Sequence, residues 1–301
     1  MRHFIDELKQ SIDCEVRLNE PLAEYTTWKI GGPADALIAP ASKEELINVM
    51  RLIHKHKMPW IALGRGSNLL VSDKGIRGAV LRLGDGMNDV RFDQDLVEAG
   101  ASYSFIKLSV MAGKQGLTGL EFAGGIPGSV GGAVYMNAGA LGSDVSRVFK
   151  SAEIVLETGE LVQYGPEDMK FAYRHSVLHE LNGIVVSATF QLAKGEKAEI
   201  TAAMAANKER RLRTQPLQMA CAGSVFRNPP GDYAARLVEA SGLKGLRSGG
   251  AEVSTMHANF IVNTGQATAE DVLSLMANIQ RKVKEDSGID LVPEVLAVGE
   301  R

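Results

Sequence analysis

The glycine-rich segment from Glu121 to Gly142, EFAGGIPGSVGGAVYMNAGALG, constrains the fold more than any other part of the chain. Five of the nine residues from Gly124 to Gly132 are glycine. Because each glycine weakens the interior of a helix or strand, this density predicts a loop that turns tightly. A backbone without side chains can lie close to a flat or anionic molecule, and its exposed N–H groups can bind phosphate. The segment therefore predicts a site for a large cofactor.

A second loop, GRGSN at residues 64–68, follows an apolar stretch that reads as a short buried strand. Its two glycines would let the backbone approach a ligand, and Ser67 and Asn68 add hydrogen-bonding groups. The loop lacks the G-K-[ST] ending of a P-loop, and Leu69 stands where the dinucleotide fingerprint has its third glycine. A plain tight turn is the alternative. Together with the glycine-rich segment, the loop favours a dinucleotide that is held without a Rossmann fold.

The composition excludes several classes of function. The chain has 301 residues, 45% of them hydrophobic and 23% charged, as in an ordinary soluble enzyme with a sizeable core. A net charge of −3 offers no basic field to nucleic acid or anionic lipid, and no apolar run could span a membrane. The N-terminal MRHFIDELKQ lacks the apolar region of a signal peptide. The widely separated Cys14 and Cys221 favour a reducing compartment over a lone disulfide, so we expect a cytoplasmic protein.

Hydrophobic periodicity predicts an α+β chain with boundaries near residues 80 and 195. Ser42 and Glu45 form a capping box before an apolar helix face that should end before Pro59. The last helix should begin near Thr268 and bury Val272, Leu275, Met276, Ile279 and Val283. Further helices are predicted at 102–115, 198–213 and 233–241, and strands at 60–63, 79–83, 96–101, 152–156, 183–192 and 259–263.

Three polar residues outside the glycine loops are candidates for chemistry. Ser224 follows Gly223 in a polar loop and could be a nucleophile or a proton donor, although no G-x-S-x-G elbow is present. Arg174, between Tyr173 and His175, could bind a carboxylate through its guanidinium. Glu294 lies in the apolar stretch LVPEVLAV, where a carboxyl can have a raised pKa and act as a general acid. The alternatives are a serine that caps a turn, a surface arginine and an edge-strand glutamate.

Two further patterns have weaker functional interpretations. His175 and His179 stand four residues apart, which on a helix would suit a metal, but no third ligand is clustered with them. We therefore predict no metal site. The basic run at 208–213 is typical of a solvated helix end, and its functional alternative is a clamp for a phosphorylated substrate.

In their order along the chain, these motifs closely resemble those of the UDP-N-acetylenolpyruvoylglucosamine reductases of bacterial peptidoglycan synthesis. The resemblance spans roughly residues 20 to 299, and the ordered set is far more specific than any single motif. The matching motifs are YTTWKIGG at 25–32, GRGSNLLV at 64–71, GIPGSVGG at 125–132, YRHS at 173–176, AGSVFRNP at 222–229 and PEV at 293–295.

The resemblance implies a flavin fold of the vanillyl-alcohol-oxidase type, with FAD-binding subdomains at 1–80 and 81–195. A substrate-binding α+β domain would occupy 196–301, and its last residues can return to the FAD-binding part. The implied reaction is NADPH reduction of FAD, followed by hydride delivery to the enolpyruvyl ether of UDP-N-acetylglucosamine enolpyruvate, which yields UDP-N-acetylmuramate. It implies no obligate protein partner.

The resemblance also assigns roles to residues. The family's proton-donating serine falls on Ser224, and the arginine and glutamate that steady the enol-like intermediate fall on Arg174 and Glu294. Hydride at C3 leaves negative charge on C2 and its carboxylate, which a cation and an acid stabilise before a hydroxyl protonates C2. The expected FAD contacts are Gly64, Arg65, Gly66, Ser67, Asn68, Gly124, Gly125, Ile126, Gly128, Ser129, Gly131 and Asn137. The expected substrate contacts are Tyr173, Arg213, Gln215 and Asn228.

One subgroup of this family carries an extra loop whose tyrosine folds over the substrate. Here only about ten residues separate Tyr173 and Arg174 from the strand at Gly183, so we expect the subgroup without that loop. Two alternative functions stay open at this point. The first is a flavin oxidase of related fold that acts on a sugar or alcohol, and the second is a non-catalytic module that binds a sugar nucleotide. The serine motif and the PEV motif favour the reductase.

Overall fold

The computed structural model describes residues 1–300, which form eight α-helices and eighteen β-strands joined by turns and short 3₁₀ helices. The helices are α1 (Arg2–Ser11), α2 (Lys43–His56), α3 (Phe105–Lys114), α4 (Val130–Tyr135), α5 (Pro166–Met169), α6 (Lys197–Thr214), α7 (Ala234–Ala240) and α8 (Ala269–Ser287). This mixture confirms the predicted α+β class. Within the described residues, no helix is both long and apolar enough to cross a membrane.

The strands are short, and several of them consist of two or three residues. They are β1 (Glu15–Pro21), β2 (Pro33–Ala39), β3 (Trp60–Ala62), β4 (Leu69–Val71), β5 (Ile76–Leu81), β6 (Val90–Asp93), β7 (Leu96–Gly100), β8 (Leu117–Thr118), β9 (Gly139–Ala140), β10 (Ser143–Asp144), β11 (Phe149–Leu156), β12 (Leu161–Tyr164), β13 (Gly183–Gln191), β14 (Ala193–Lys194), β15 (Arg247–Ser248), β16 (Ala251–Val253), β17 (Ile261–Asn263) and β18 (Leu296–Val298).

The chain divides into two compact units, each built from separate stretches of sequence. The first unit comprises Met1–Leu18, Ala36–Arg65 and Gly78–Glu209, and the second comprises Asn19–Asp35, Gly66–Arg77 and residues 210–300. The domain boundaries expected from the sequence, near residues 80 and 195, stay a prediction. The GRGSN loop is divided between the units, with Gly64 and Arg65 in the first and its other three residues in the second.

A five-stranded antiparallel sheet forms the centre of the first unit, in the order β12-β11-β13-β7-β6. Strand β13 agrees with the strand predicted at 183–192, and its Ile184, Val186, Ala188 and Phe190 are buried. Phe105, the first residue of α3, is also buried and contacts Phe122 edge-on with 6.0 Å between ring centroids. Phe105, Ala188 and Phe190 belong to the core that also contains Val130 and Val134, so this core anchors the glycine-rich segment.

Helix α2 confirms the capping prediction with one change of partner. Ser42 Oγ accepts a hydrogen bond from Glu45 N at 3.1 Å, while the Glu45 carboxylate accepts from Ala41 N rather than from Ser42 N. The helix ends at His56, and Lys57 adopts the left-handed conformation before Pro59. Its apolar face is fully buried, as predicted, because it packs against the N-terminal helix and the adjoining core.

The second unit packs around Trp28 and helix α8. Trp28 is buried, and its indole Nε1 donates to Ile261 O at 2.9 Å. Helix α8 begins directly after Thr268, as predicted, and Thr268 and Asp271 form a capping box there. Asp73 adds a cap that the sequence analysis missed, since its carboxylate accepts from Ala269 N and from the next backbone N–H. All five residues predicted for the buried face of α8 are buried.

The prediction that glycine excludes helix from the segment between residues 124 and 142 is wrong in part. Residues 130–135 form α4, and Gly131 and Gly132 lie inside it. Gly131 is needed because a Cβ there would lie 2.9 Å from Ala101 Cβ, so the helix packs closely on the neighbouring loop only without a side chain. Ser129 provides the cap that starts this short helix. Close packing therefore explains part of the glycine content.

Candidate functional site

Two glycine-bearing loops meet in the first unit. A Cβ on Gly64 would lie 2.8 Å from Ser129 Oγ, so this approach is possible only without a side chain. Ser129 Oγ accepts from Gly132 N at 3.3 Å. Residues 124–126 and Gly128 are half-buried, which leaves their backbone accessible to a ligand. Both loops thus line one surface with bare backbone, and this arrangement fits a large flat cofactor with a pyrophosphate.

The part of the GRGSN loop in the second unit has structural tasks of its own. Gly66 has φ +61°, and a Cβ there would lie 2.1 Å from Tyr25 O. Asn68 Nδ2 donates to Glu294 O at 3.1 Å, and Asn68 O accepts from Leu296 N at 3.0 Å. These contacts explain why positions 66 and 68 hold glycine and asparagine even if neither residue binds a ligand. Contact of Gly66, Ser67 and Asn68 with FAD stays a prediction.

Arg174 lies at the tip of a tight turn in the first unit. Ala172 and His175 exchange two backbone hydrogen bonds of 3.1 Å, and Arg174 between them has φ 55°. Its guanidinium Nη2 donates to Gly139 O at 2.9 Å and its Cζ lies 4.9 Å from the centroid of the Tyr173 ring. Arg174 is half-buried, so the alternative of a freely solvated surface arginine does not describe it.

The two histidines singled out by their spacing are stacked beside this turn and do not lie on a helix face. The His175 and His179 ring centroids are 4.9 Å apart, and the Tyr135 ring lies 4.2 Å from that of His179. His175 Nε2 lies 3.3 Å from a Glu180 carboxylate oxygen. Burial raises the pKa of Tyr135. Among residues 1–300 no group of three His, Cys, Asp or Glu side chains could hold a metal ion.

Ser224 and Glu294 lie on two segments of the second unit that pair through their backbones. Glu294 N donates to Val225 O at 2.8 Å, and Arg227 N donates to Val292 O at 2.8 Å. Phe226 and Pro293 form an antiparallel bridge between these two bonds. Ser224 is therefore the neighbour of the residue that receives the Glu294 hydrogen bond. Both side chains are half-buried.

Asn259 secures the same segment from its other side. Asn259 Nδ2 donates to Phe226 O at 2.8 Å, Phe226 N donates to Asn259 Oδ1 at 2.9 Å, and Val225 N donates to Asn259 O at 2.9 Å. The residue is only 4% exposed. No functional motif includes Asn259, although a polar residue between Ala258 and Phe260 in an apolar stretch is a signal for such a buried role.

We expect Asn259→Ala to destabilise the protein by about 2–3 kcal/mol, because both backbone groups of Phe226 lose their buried partner. Urea unfolding followed by circular dichroism measures this loss. Asn182→Ala is the matched control, since Asn182 is exposed and its Nδ2 donates to the side chain of Glu157 at the surface. A loss no larger than that of the control would show that water replaces the Asn259 amide without cost.

The four predicted substrate contacts are distributed over several elements. Tyr173 is 52% exposed, and Arg213 is exposed near the end of α6. Gln215 Oε1 accepts from Arg211 Nε at 2.9 Å, and Asn228 Oδ1 accepts from Ala234 N at 3.1 Å at the start of α7. Burial lowers the pKa of Arg211, a member of the basic run whose guanidinium is half-enclosed. Substrate contact by these four residues stays a prediction.

Two family models match the chain. The model of the UDP-N-acetylenolpyruvoylglucosamine reductase C-terminal domain matches residues 215–298, and the model of an FAD-binding domain matches residues 34–165. The second match includes Gly64, Ser129 and Asn137.

Full-length relatives agree with both models. The chain is 50% identical over 301 residues to the UDP-N-acetylenolpyruvoylglucosamine reductase of Bacillus pumilus, covering 100% of this chain and 99% of the relative. It is 50% identical over 302 residues to the enzyme of that name from Bacillus licheniformis, covering all of both chains. The chain belongs to the UDP-N-acetylenolpyruvoylglucosamine reductase family. The crystal structure of the Thermus caldophilus reductase matches with a TM-score of 0.80 and 39% identity, covering 95% of this chain and 99% of that one.

Membership of the reductase family confirms the main sequence predictions. The chain is an FAD-containing oxidoreductase of peptidoglycan precursor synthesis, with NADPH as the reductant, and it combines an FAD-binding fold with a C-terminal reductase domain. The bare backbone at Gly64 and at 124–128 fits the cofactor, because it provides room for a flat ring system and N–H groups for phosphate. Neither alternative function, the oxidase or the binding module, agrees with these relatives.

Proposed function

We propose that Ser224 donates the proton that completes reduction of the enolpyruvyl ether, and that Arg174 and Glu294 stabilise the negative charge that precedes it. The observation that carries this proposal is the backbone pairing of the segments that hold Ser224 and Glu294. Glu294 N donates to the carbonyl of Val225, the residue after Ser224. The pairing fixes the two segments in register, so the backbones that carry this hydroxyl and this carboxyl keep a constant spacing, which supports a shared task at the reacting atoms.

The chemistry explains why these residue types are suitable. When bound, FAD supplies the hydride that adds to C3 of the enolpyruvyl group. The guanidinium of Arg174 offers fixed N–H donors for the substrate carboxylate, over which the developing charge is spread. The carboxyl of Glu294, if protonated, can donate a hydrogen bond to the same charge. The hydroxyl of Ser224 then gives its proton to C2 from one face, which fixes the configuration of the product.

We propose that Gly64, Arg65 and the residues from Gly124 to Ser129 hold the FAD pyrophosphate and pass close to its ring system. The support is the contact between Gly64 and Ser129 and the accessible backbone at 124–128. Tyr173, Arg213, Gln215 and Asn228 remain the proposed contacts for UDP-N-acetylglucosamine enolpyruvate. In this proposal Gln215 acts together with Arg211, whose Nε already donates to it.

We further propose that the protein works in the bacterial cytoplasm. The described residues contain no membrane-spanning helix, and Cys14 and Cys221 are both free thiols. Burial raises the pKa of Cys14 to about 11 and also raises that of Cys221, so neither thiol is a reactive thiolate at neutral pH. Free thiols are the rule in a reducing compartment, where NADPH is also available.

The purified protein is expected to be yellow and to oxidise NADPH continuously, beyond the one equivalent that reduces its FAD, only when the UDP-sugar enolpyruvyl ether is added. An absorbance spectrum followed by a spectrophotometric NADPH assay measures both properties. UDP-N-acetylglucosamine without the enolpyruvyl group is the matched control, because it retains the nucleotide but lacks the reacting double bond. The proposal fails for a protein that stays colourless after FAD is added, or whose reduced form reacts rapidly with oxygen but not with the enolpyruvyl ether.

A further inference from the structure

Asn137 connects the end of α4 to the turn that carries Arg174. It lies two residues beyond the last residue of α4, is 2% exposed and has φ 42°. Its amide Nδ2 donates to Ala172 O at 2.9 Å, and its Oδ1 accepts from Ser146 N at 2.9 Å. A single buried side chain thus ties three separate stretches of the first unit together.

The turn itself is held in an unfavourable conformation. Arg174 has φ 55°, a left-handed value that costs a residue with a side chain about 1–2 kcal/mol. Such a residue keeps its conformation only when the surroundings determine it. The carbonyl of Ala172 helps to fix the turn, since it accepts hydrogen bonds from both His175 N and Asn137 Nδ2.

The Arg174 side chain is also fixed from the segment that follows Asn137. Arg174 Nη2 donates to Gly139 O at 2.9 Å, and Gly139 lies two residues after Asn137. On the other side of the turn, Ser176 Oγ donates to Tyr135 O at 2.6 Å. The stretch from residue 135 to residue 139 therefore contacts the backbone before Arg174, its guanidinium and the residue after His175.

We propose that Asn137 is a positioning residue for Arg174, which sets where the guanidinium meets the substrate carboxylate. This inference rests on the proposed catalytic role of Arg174. It differs from the sequence prediction for Asn137, which was direct contact with FAD. Within the chain, the amide donates to the turn at Ala172 O and the oxygen accepts from Ser146 N, which holds the side chain in place for the first bond. Because a misplacement of about 1 Å can cost 10²-fold in rate, loss of the hydrogen bond from Asn137 to Ala172 O should lower the rate of the substrate half-reaction.

Two substitutions that tolerate the left-handed backbone of residue 137 test the inference. Asn137→Gly tolerates the left-handed backbone and removes the amide, while Asn137→Asp also tolerates it, keeps an acceptor for Ser146 N and loses the donor to Ala172 O. Both holoenzymes should be oxidised by the enolpyruvyl ether about 10- to 100-fold more slowly in stopped flow. Their reduction by NADPH and their FAD dissociation constant, from fluorescence titration, should equal those of the wild type. Asn182→Gly, an exposed asparagine of the same unit, serves as the control.

A double-mutant cycle with Arg174→Ala identifies the residue through which Asn137 acts. If Asn137 positions Arg174, Asn137→Gly should add no further slowing to an enzyme that already lacks the guanidinium. The inference would be overturned if the rate losses of Asn137→Gly and Arg174→Ala multiplied in the double variant. Weaker FAD binding by both Asn137 variants would overturn it as well. The proposed function is tested separately by Arg174→Ala alone. If that variant is oxidised by the substrate at the wild-type rate, the catalytic assignment of Arg174 itself is wrong.

Discussion

Ser224→Ala is expected to slow oxidation of the reduced enzyme by the enolpyruvyl ether by about 10³-fold, while reduction by NADPH keeps its rate. The reason is that only the substrate half-reaction needs a proton at C2. A positioned general acid contributes about 10²- to 10⁴-fold, and the predicted loss lies within that range. Stopped-flow absorbance of the flavin measures the two half-reactions separately on one preparation of holoenzyme.

The control for this variant is Ser274→Ala in the same unit. Ser274 donates within α8 to Glu270 and lies outside the segments that carry Ser224 and Glu294. It should leave both half-reactions unchanged. If Ser224→Ala slowed reduction by NADPH as much as oxidation by the substrate, Ser224 would be a structural residue of its turn. Incorporation of solvent deuterium at C2 with the wild-type configuration in the slow variant would likewise argue against Ser224 as the donor.

The sequence predicts those parts of the fold that depend on local signals. Helix α2 begins at its predicted capping residue Ser42, and α8 begins where predicted, directly after Thr268, because the signals for a helix start lie within three residues of each other. Strand β13 is also predicted from a local pattern, although its buried residues divide between two cores, with Ile184 and Val186 in one and Ala188 and Phe190 in the other. Short-range patterns of this kind need no knowledge of the rest of the molecule.

The sequence predicts less well where distant parts of the chain meet. Asn137 and Ala172 are 35 residues apart, and Asn259 and Phe226 are 33 apart, so no local pattern reveals that one side chain holds the other's backbone. Helix α4 was missed because glycine weakens an isolated helix, whereas here the contact with Ala101 requires it. Gly131, which was predicted only as a contact for FAD, thus also has a packing role that its local sequence does not reveal.

The candidate catalytic residues were assigned by resemblance to the family, since their local sequence is equally compatible with purely structural roles. Ser224 in isolation reads as a turn cap and Glu294 as an edge glutamate. What the structure adds is the backbone pairing that links their segments and the buried Asn259 that holds one of them. Spacing along the chain could not provide this, because 70 residues separate Ser224 from Glu294.

Gly66→Ala is expected to destabilise the protein by about 2–5 kcal/mol even in the absence of FAD. Gly66 has φ +61°, which costs alanine about 1–2 kcal/mol, and its Cβ would lie 2.1 Å from Tyr25 O. The obstacle is a backbone carbonyl whose segment is itself bonded to the loop, since Thr27 N donates to Gly66 O at 3.1 Å. The clash between the new Cβ and Tyr25 O can therefore be relieved only if the two segments separate. Overpacking of this kind adds about 1–3 kcal/mol to the loss of stability. Urea unfolding of the FAD-free protein measures the loss.

Gly142→Ala isolates the conformational part of this effect. Gly142 has φ +80°, and a Cβ there would meet no atom of the described residues within 4 Å, so only the backbone strain of about 1–2 kcal/mol should be measured. The difference between the two variants then measures the collision with Tyr25 O. If Gly66 were glycine solely to admit a ligand, Gly66→Ala would weaken FAD binding but destabilise the FAD-free protein no more than Gly142→Ala does. Equal unfolding free energies for the two variants would thus support a cofactor role for Gly66. A larger loss for Gly66→Ala would show that residue 66 is glycine because of its contact with residues 25–27.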